Sequence, residues 1–111
     1  MEGLLPSVPA LLVLVALADR PMHAYEVGKW VRERSGGVLT LPEGTLYPLL
    51  HQLAREGCLA SWEDDSPSGR KVTRYALRQA GWTRLDALAA AWEERAGAVG
   101  RLVADRQKPR P

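Results

Sequence analysis

A chain of 111 residues has room for one domain with a modest core and not for a second, independent one. Its 46% hydrophobic and 25% charged residues exclude a disordered polymer and a membrane-embedded bundle. The formal net charge of +2 permits a polyanionic partner without requiring one, so the distribution of charge has to decide.

The apolar run from Leu4 to Ala18 ends in Ala16-Leu17-Ala18, the small-x-small form of a secretory cleavage site. Only Glu2 is charged ahead of it, where an export signal carries Lys or Arg. The run is also shorter than the roughly 20 residues that span a bilayer, so no membrane association is expected. It reads as a buried first helix of a cytoplasmic protein, covering Ser7 to Ala18, almost wholly apolar and closed by Asp19-Arg20-Pro21.

His23 to Arg34 forms a second helix, with Ala24, Val27, Trp30 and Val31 on one apolar stripe and Glu26, Lys29, Arg32 and Glu33 away from it. Ser35-Gly36-Gly37 stops it. A third helix begins at Pro42 or Glu43, where Thr40 and Glu43 have the spacing of a capping box. Leu46, Leu49, Leu50 and Leu53 give it a core face, and Arg55-Glu56-Gly57 closes it, because glycine accepts the left-handed conformation there. Pro48 removes one backbone donor and predicts a local irregularity rather than a break.

Cys58 to Trp62 and Val72 to Leu77 alternate in polarity and favour strands, which predicts a β-hairpin whose long polar tip holds Ser66-Pro67-Ser68-Gly69 and turns basic at Arg70-Lys71. From Ala80 to Asp105 apolar and small residues recur at Trp82, Leu85, Ala89, Trp92, Ala96, Val99 and Val103, a heptad-type seam widened by Leu88 and Leu102. Gly97 and Gly100 each cost about 1 kcal/mol in a helix interior, so the last two turns are expected to fray. So short a chain leaves this seam no internal partner, which predicts a homodimer.

Helix, helix, helix, hairpin, long helix is the order of a winged helix-turn-helix: a mainly α fold with a small β-hairpin. It divides into a winged domain at 7–79, a dimerisation helix at 80–105 and a disordered tail at 106–111. The stretches His23-Ala24-Tyr25-Glu26, Glu43-Gly44-Thr45-Leu46-Tyr47-Pro48-Leu49-Leu50 with Leu53 and Glu56-Gly57, and Gly69-Arg70-Lys71 through Tyr75-Ala76-Leu77 to Ala80-Gly81 resemble the PadR family of bacterial transcriptional regulators. The resemblance covers roughly Leu11 to Trp92 and implies a homodimer on a near-palindromic DNA operator, a repressor released by an effector.

It also implies that the C-terminal helix packs on the partner's N-terminal helix. Leu11 and Leu14 then join Trp82, Leu85, Ala89, Trp92, Ala96 and Val99 as dimerisation residues. In drug-responsive members a tryptophan at the place of Trp92 looks like a stacking platform for a planar aromatic effector. On the residues alone, plain dimer packing is the better reading of Trp92, although Ala89 and Ala96 leave room beside it. Three departures from the family pattern stand out: Ala24 for the usual glycine, Val72-Thr73 for a more basic pair, and Arg78 for a threonine that caps the last helix.

The third helix has the length to enter a major groove and presents Thr45, Tyr47, Pro48, His51, Gln52 and Arg55. A solvated helix face explains scattered polar residues too. A tyrosine exposed beside proline favours function for Thr45, Tyr47 and Gln52, while His51 and Arg55 stay even. Arg70 and Lys71 at the tip suit a phosphate or minor-groove contact, although a two-residue basic tip is also an ordinary solvated turn; Arg74 joins them as a DNA-binding candidate, and the acidic run Glu63-Asp64-Asp65 is expected on the outer side of the wing or orienting its basic tip.

Catalysis is not expected, since Cys58, His23 and His51 lie in different elements with no supporting motif. No cofactor and no metal are expected either, because no Cys, His and carboxylate cluster has ligand spacing. The lone Cys58 suits a reducing compartment and the role of a packed small hydrophobe. The competing reading is a winged-helix module that binds protein instead of DNA.

Overall fold

A computed structural model of the chain describes residues 7–111. The start of the first apolar run, at Leu4 and Leu5, lies outside the described residues. Helix α1 (Val8–Asp19) is the hub: α2 (Ala24–Arg34), α3 (Glu43–Arg55), α4 (Gln79–Ala104) and the central strand all pack on it. That arrangement explains why α1 is apolar on nearly all sides. Ala10, Leu11, Val13, Leu14, Ala16 and Leu17 are all buried in the core of the protomer, with Val27, Val31, Leu46, Leu50 and Leu53 arriving from α2 and α3. No helix among the described residues is long and apolar enough to cross a membrane.

The sheet has three strands, in the order β1-β3-β2, where β1 is Met22–His23, β2 is Leu59–Asp65 and β3 is Lys71–Leu77. Strand β1 adds to the expected hairpin: Met22 pairs with Tyr75 and His23 with Arg74. Two residues are too few for alternation to show. Strand β2 is longer than expected and takes in the acidic run, which the polarity pattern alone places in the polar connection. Carboxylates disfavour strands in general, but Asp65 stands directly opposite Lys71 in register and pairs with it at 2.9 Å. The tip is therefore short, running from Ser66 to Arg70 and closed by the Ser66 N–H donating to the Arg70 carbonyl at 2.8 Å.

The helix ends follow from local chemistry. At the end of α3, Gly57 has φ +79, the Cys58 N–H donates to the Leu53 carbonyl and the Gly57 N–H to the Ala54 carbonyl, the paired bonds of a Schellman stop. The helix runs unbroken through Pro48. Its expected capping box is not formed. Pro42 is the N-cap, because a residue before proline is kept extended, and that leaves Thr40 two positions too early. The Pro42 carbonyl takes the N–H groups of Thr45 and Leu46 instead.

A reciprocal cap appears at α2, where Glu26 accepts the His23 backbone N–H at 3.1 Å. At α4 the N-cap is Arg78, with no side-chain cap, in line with the missing threonine. Helix α4 continues without a break through Gly97 and Gly100 to Ala104, against the expected fraying, and a single 3-10 turn (Asp105–Gln107) follows where a disordered tail was expected to begin. At 26 residues it is about 39 Å long and stretches the protomer to 62 Å.

Candidate nucleic-acid interface

The spacing of the buried leucines sets the orientation of α3. Leu46, Leu50 and Leu53 face the core, so at 100° per residue Pro48, His51, Gln52 and Arg55 project outward, with Thr45 on one flank and Tyr47 on the other. All six of the candidate side chains on this helix are exposed. Tyr47 and His51 turn toward the wing and line a groove of about 870 Å³ between α2, the start of α3 and the hairpin. The wing contributes Arg70 and Lys71 to the same groove, and α2 contributes Tyr25 and Lys29.

Tyr25 and Lys29 were not singled out from sequence. The signal available was Tyr25 lying off the apolar stripe of α2; it is 68% exposed, stacked on the His23 ring with centroids 6.4 Å apart. Tyr75, buried at the wall of the groove, has its phenol pushed above the ordinary value by burial, and the neighbouring Tyr47 adds to the effect. Lys29, Arg55 and Arg70 form no ion pair among the described residues, so their charge is available to a polyanion. Glu33 and Glu43 add negative charge on the α2 and α3 side, which leaves the wing as the cationic end of the groove.

Gln52 lies on the far flank of α3 from the wing. Its side-chain amide donates to Glu56 at 3.2 Å, and the other carboxylate oxygen of Glu56 takes the Arg84 guanidinium of α4 at 2.6 Å. These two bonds, that from Arg84 the larger influence, hold the Glu56 carboxyl below its ordinary range. Thus Gln52, one of the DNA-contact candidates, is tethered through Glu56 to the last helix.

Arg74 does not belong with Arg70 and Lys71. Its side chain is only 21% exposed and is engaged on two sides, by Asp64 at 2.8 Å and Glu26 at 3.1 Å, so its guanidinium, one of the DNA-binding candidates, is held by carboxylates of the protein itself. Lys71 pairs with Asp65, but both side chains are about two-thirds exposed, and such a pair exchanges readily for another anion. The expectation that the acidic run orients the basic tip is met at Asp65, which pairs with Lys71, while Asp64 holds Arg74 on the strand.

The seam residues divide into two groups. Leu85 is buried against the core of its own protomer and Leu88 and Ala89 pack beside it, whereas Trp82, Trp92, Val99, Leu102 and Val103 remain exposed. Leu11 and Leu14, expected at the dimer contact, are enclosed within the protomer, Leu14 completely. A helix surrounded by four other elements spends its leucines on them. The exposed apolar residue of α1 is Val15. Among the described residues no group of three or more His, Cys, Asp or Glu side chains is placed to hold a metal ion.

A three-helix body carrying a β-wing and a long final helix defines a winged helix-turn-helix protein. The model of the transcriptional regulator PadR-like family matches residues 13–87, and the chain belongs to that family. Among solved structures it is similar to a PadR-like transcription factor from Bacteroides fragilis, at 28% identity and a TM-score of 0.67 over 84% of this chain and 87% of that one. A PadR family transcription regulator from Clostridium difficile shares the fold at 24% identity, with a TM-score of 0.73 over 86% of this chain and 97% of that one. Bacillus subtilis PadR, solved in complex with operator DNA, shares it at 20% identity and a TM-score of 0.65, matching 72% of this chain and 45% of that one. No curated protein sequence matches the chain.

Proposed function

We propose that the chain is a sequence-specific DNA-binding regulator, acting as a homodimer on a near-palindromic operator, with α3 in the major groove and the wing on the adjacent backbone. The observation that carries this reading is the exposed polar face of α3 beside the cationic wing, with Tyr47 and His51 of that helix sharing one groove with the wing-tip residues Arg70 and Lys71. In the complex, Thr45, Gln52 and Arg55 face base edges and Arg70 and Lys71 face phosphates.

The two roles separate in binding experiments on the upstream region of the gene and on random DNA of equal length. Arg70→Ala and Lys71→Ala should weaken binding to both DNAs and flatten the salt dependence, by roughly one unit of slope for each phosphate left without its cation. Gln52→Ala should instead reduce discrimination at one base pair by about 1–3 kcal/mol. Wild-type protein that retains neither DNA would point to a protein-binding winged helix.

We further propose that the regulator is a repressor released by a planar aromatic effector on the dimer axis. Trp92 is 37% exposed on α4, with the small residues Ala89 and Ala96 one turn to either side. A ligand stacked there would move two recognition helices out of step with successive major grooves, about 34 Å apart. A chain keeping only Trp92, with Trp30, Trp62 and Trp82 replaced by Phe, should show saturable quenching by any compound that releases the operator. Release without quenching would reduce Trp92 to a packing residue.

A further inference from the structure

The wing is fastened to the body by a chain of charged groups that spans three elements. Arg74 on the central strand donates Nε to Asp64 of β2 at 2.8 Å and a terminal nitrogen to Glu26 of α2 at 3.1 Å. Glu26 in turn accepts the His23 N–H and lies 3.3 Å from the His23 ring. A planar guanidinium offers donors in a fixed fork, so it can hold carboxylates from two directions at once, which a lysine ammonium on a flexible stem does less well.

The location matters more than the strength. Asp64 is paired in register with Val72, close to where the hairpin narrows to its tip, while Glu26 is on α2, the wall facing the wing across the groove. Arg74 therefore adds, through Glu26, a side-chain tie to the body beside the backbone pairing of β1 with β3, while Asp64 holds its guanidinium from within the hairpin. It also sets where Arg70 and Lys71 lie relative to α3. The Asp64 carboxyl is held below its ordinary range by the Asp65 N–H first and by Arg74 next, consistent with a standing charge pair.

We propose that Arg74 is a positioning residue for DNA binding: with Asp64 and Glu26 it latches the wing at the angle that presents Arg70 and Lys71, and it makes no phosphate contact itself. This rests on the DNA-binding reading above. It leads to an outcome that charge alone would reverse.

Removing a carboxylate from a DNA-binding surface ordinarily strengthens binding, because one source of repulsion to phosphate disappears. The adjacent acids Asp64 and Asp65 carry the same charge on β2 but hold different cations, Asp64 the half-buried Arg74 and Asp65 the exposed Lys71, so Asp65→Asn removes a repulsive charge and frees Lys71 for phosphate without touching Arg74. Asp65→Asn should tighten binding to a random 30-base-pair duplex at fixed salt by about twofold. Asp64→Asn, with the same change in charge, should weaken it by about threefold or more, and Arg74→Lys should do likewise although it keeps the charge.

Hydrogen exchange of the free protein gives an arm that needs no DNA. Amides from Glu63 to Thr73 should exchange faster in Asp64→Asn and Arg74→Lys than in wild type or Asp65→Asn, with the amides of α1 and α3 unchanged. Faster wing exchange with no DNA retained by wild type would keep the latch and remove the DNA-binding reading. Unchanged wing exchange, or Asp64→Asn tightening on DNA as Asp65→Asn does, would overturn the latch.

Discussion

Alanine in place of Gly81 should destabilise the protein by about 2–3 kcal/mol, although propensity alone would make it stabilising by about 1 kcal/mol in a helix interior. A Cβ on Gly81 would lie 2.3 Å from the Cys58 carbonyl oxygen and 3.1 Å from Cδ2 of Leu77. The Leu77 methyl can rotate away, but a backbone oxygen cannot. That same oxygen accepts the Arg78 N–H at 2.9 Å, so it pins the start of α4 to the start of β2 at the point where the new methyl group would push them apart. Displacing α4 there also lifts Leu85 out of the core. Urea unfolding gives the sign directly, and Gly100→Ala is the internal control, since a Cβ at Gly100 meets nothing within 4 Å. The two variants should shift the midpoint in opposite directions; a shift in the same direction would mean that the close approach has room to relax.

That contact illustrates how far the sequence could be read. Helix boundaries were legible to within a residue or so, because their causes are local: Pro21 ends α1, Gly57 ends α3, and the apolar stripes of α2 and α3 are regular. The exposed face of α3 was legible for the same reason. The engagement of Arg74 was not legible because one partner, Glu26, is 48 residues away and the other, Asp64, meets it only once the hairpin has paired. The acidic run looked like loop because strand preference is a weak prior, and the pairs that overrule it form across the hairpin. Leu11 and Leu14 exposed a deeper limit. The resemblance put them at a partner, whereas an almost wholly apolar helix reports only that it is buried, not whether its own core or a second copy does the burying.

Ending the chain after Ala91 should leave a folded monomer, whereas the full chain should sediment as a dimer at micromolar concentration. The cut follows from the way α4 divides. Up to Ala89 the helix packs on its own protomer through Leu85, Leu88 and Ala89, so ending at Gly81 would strip the core and confuse loss of folding with loss of assembly. Beyond it, Trp92, Val99, Leu102 and Val103 carry apolar side chains that are exposed in the protomer, Leu102 at 71%. A helical segment from Trp92 to Ala104 is marginal on its own in water, since helices shorter than about 12–15 residues seldom persist alone, and Gly97 and Gly100 weaken it further. Burial of that apolar face against a second copy, as proposed above, would hold it. A second copy offers the same face in return, and Val15 and Trp82 are also exposed on the body. Circular dichroism should show the shortened chain retaining cooperative unfolding, and in the full chain Val99→Glu should weaken the dimer without lowering the helical content of the body. A shortened chain that still sediments as a dimer would move the interface off the distal half of α4.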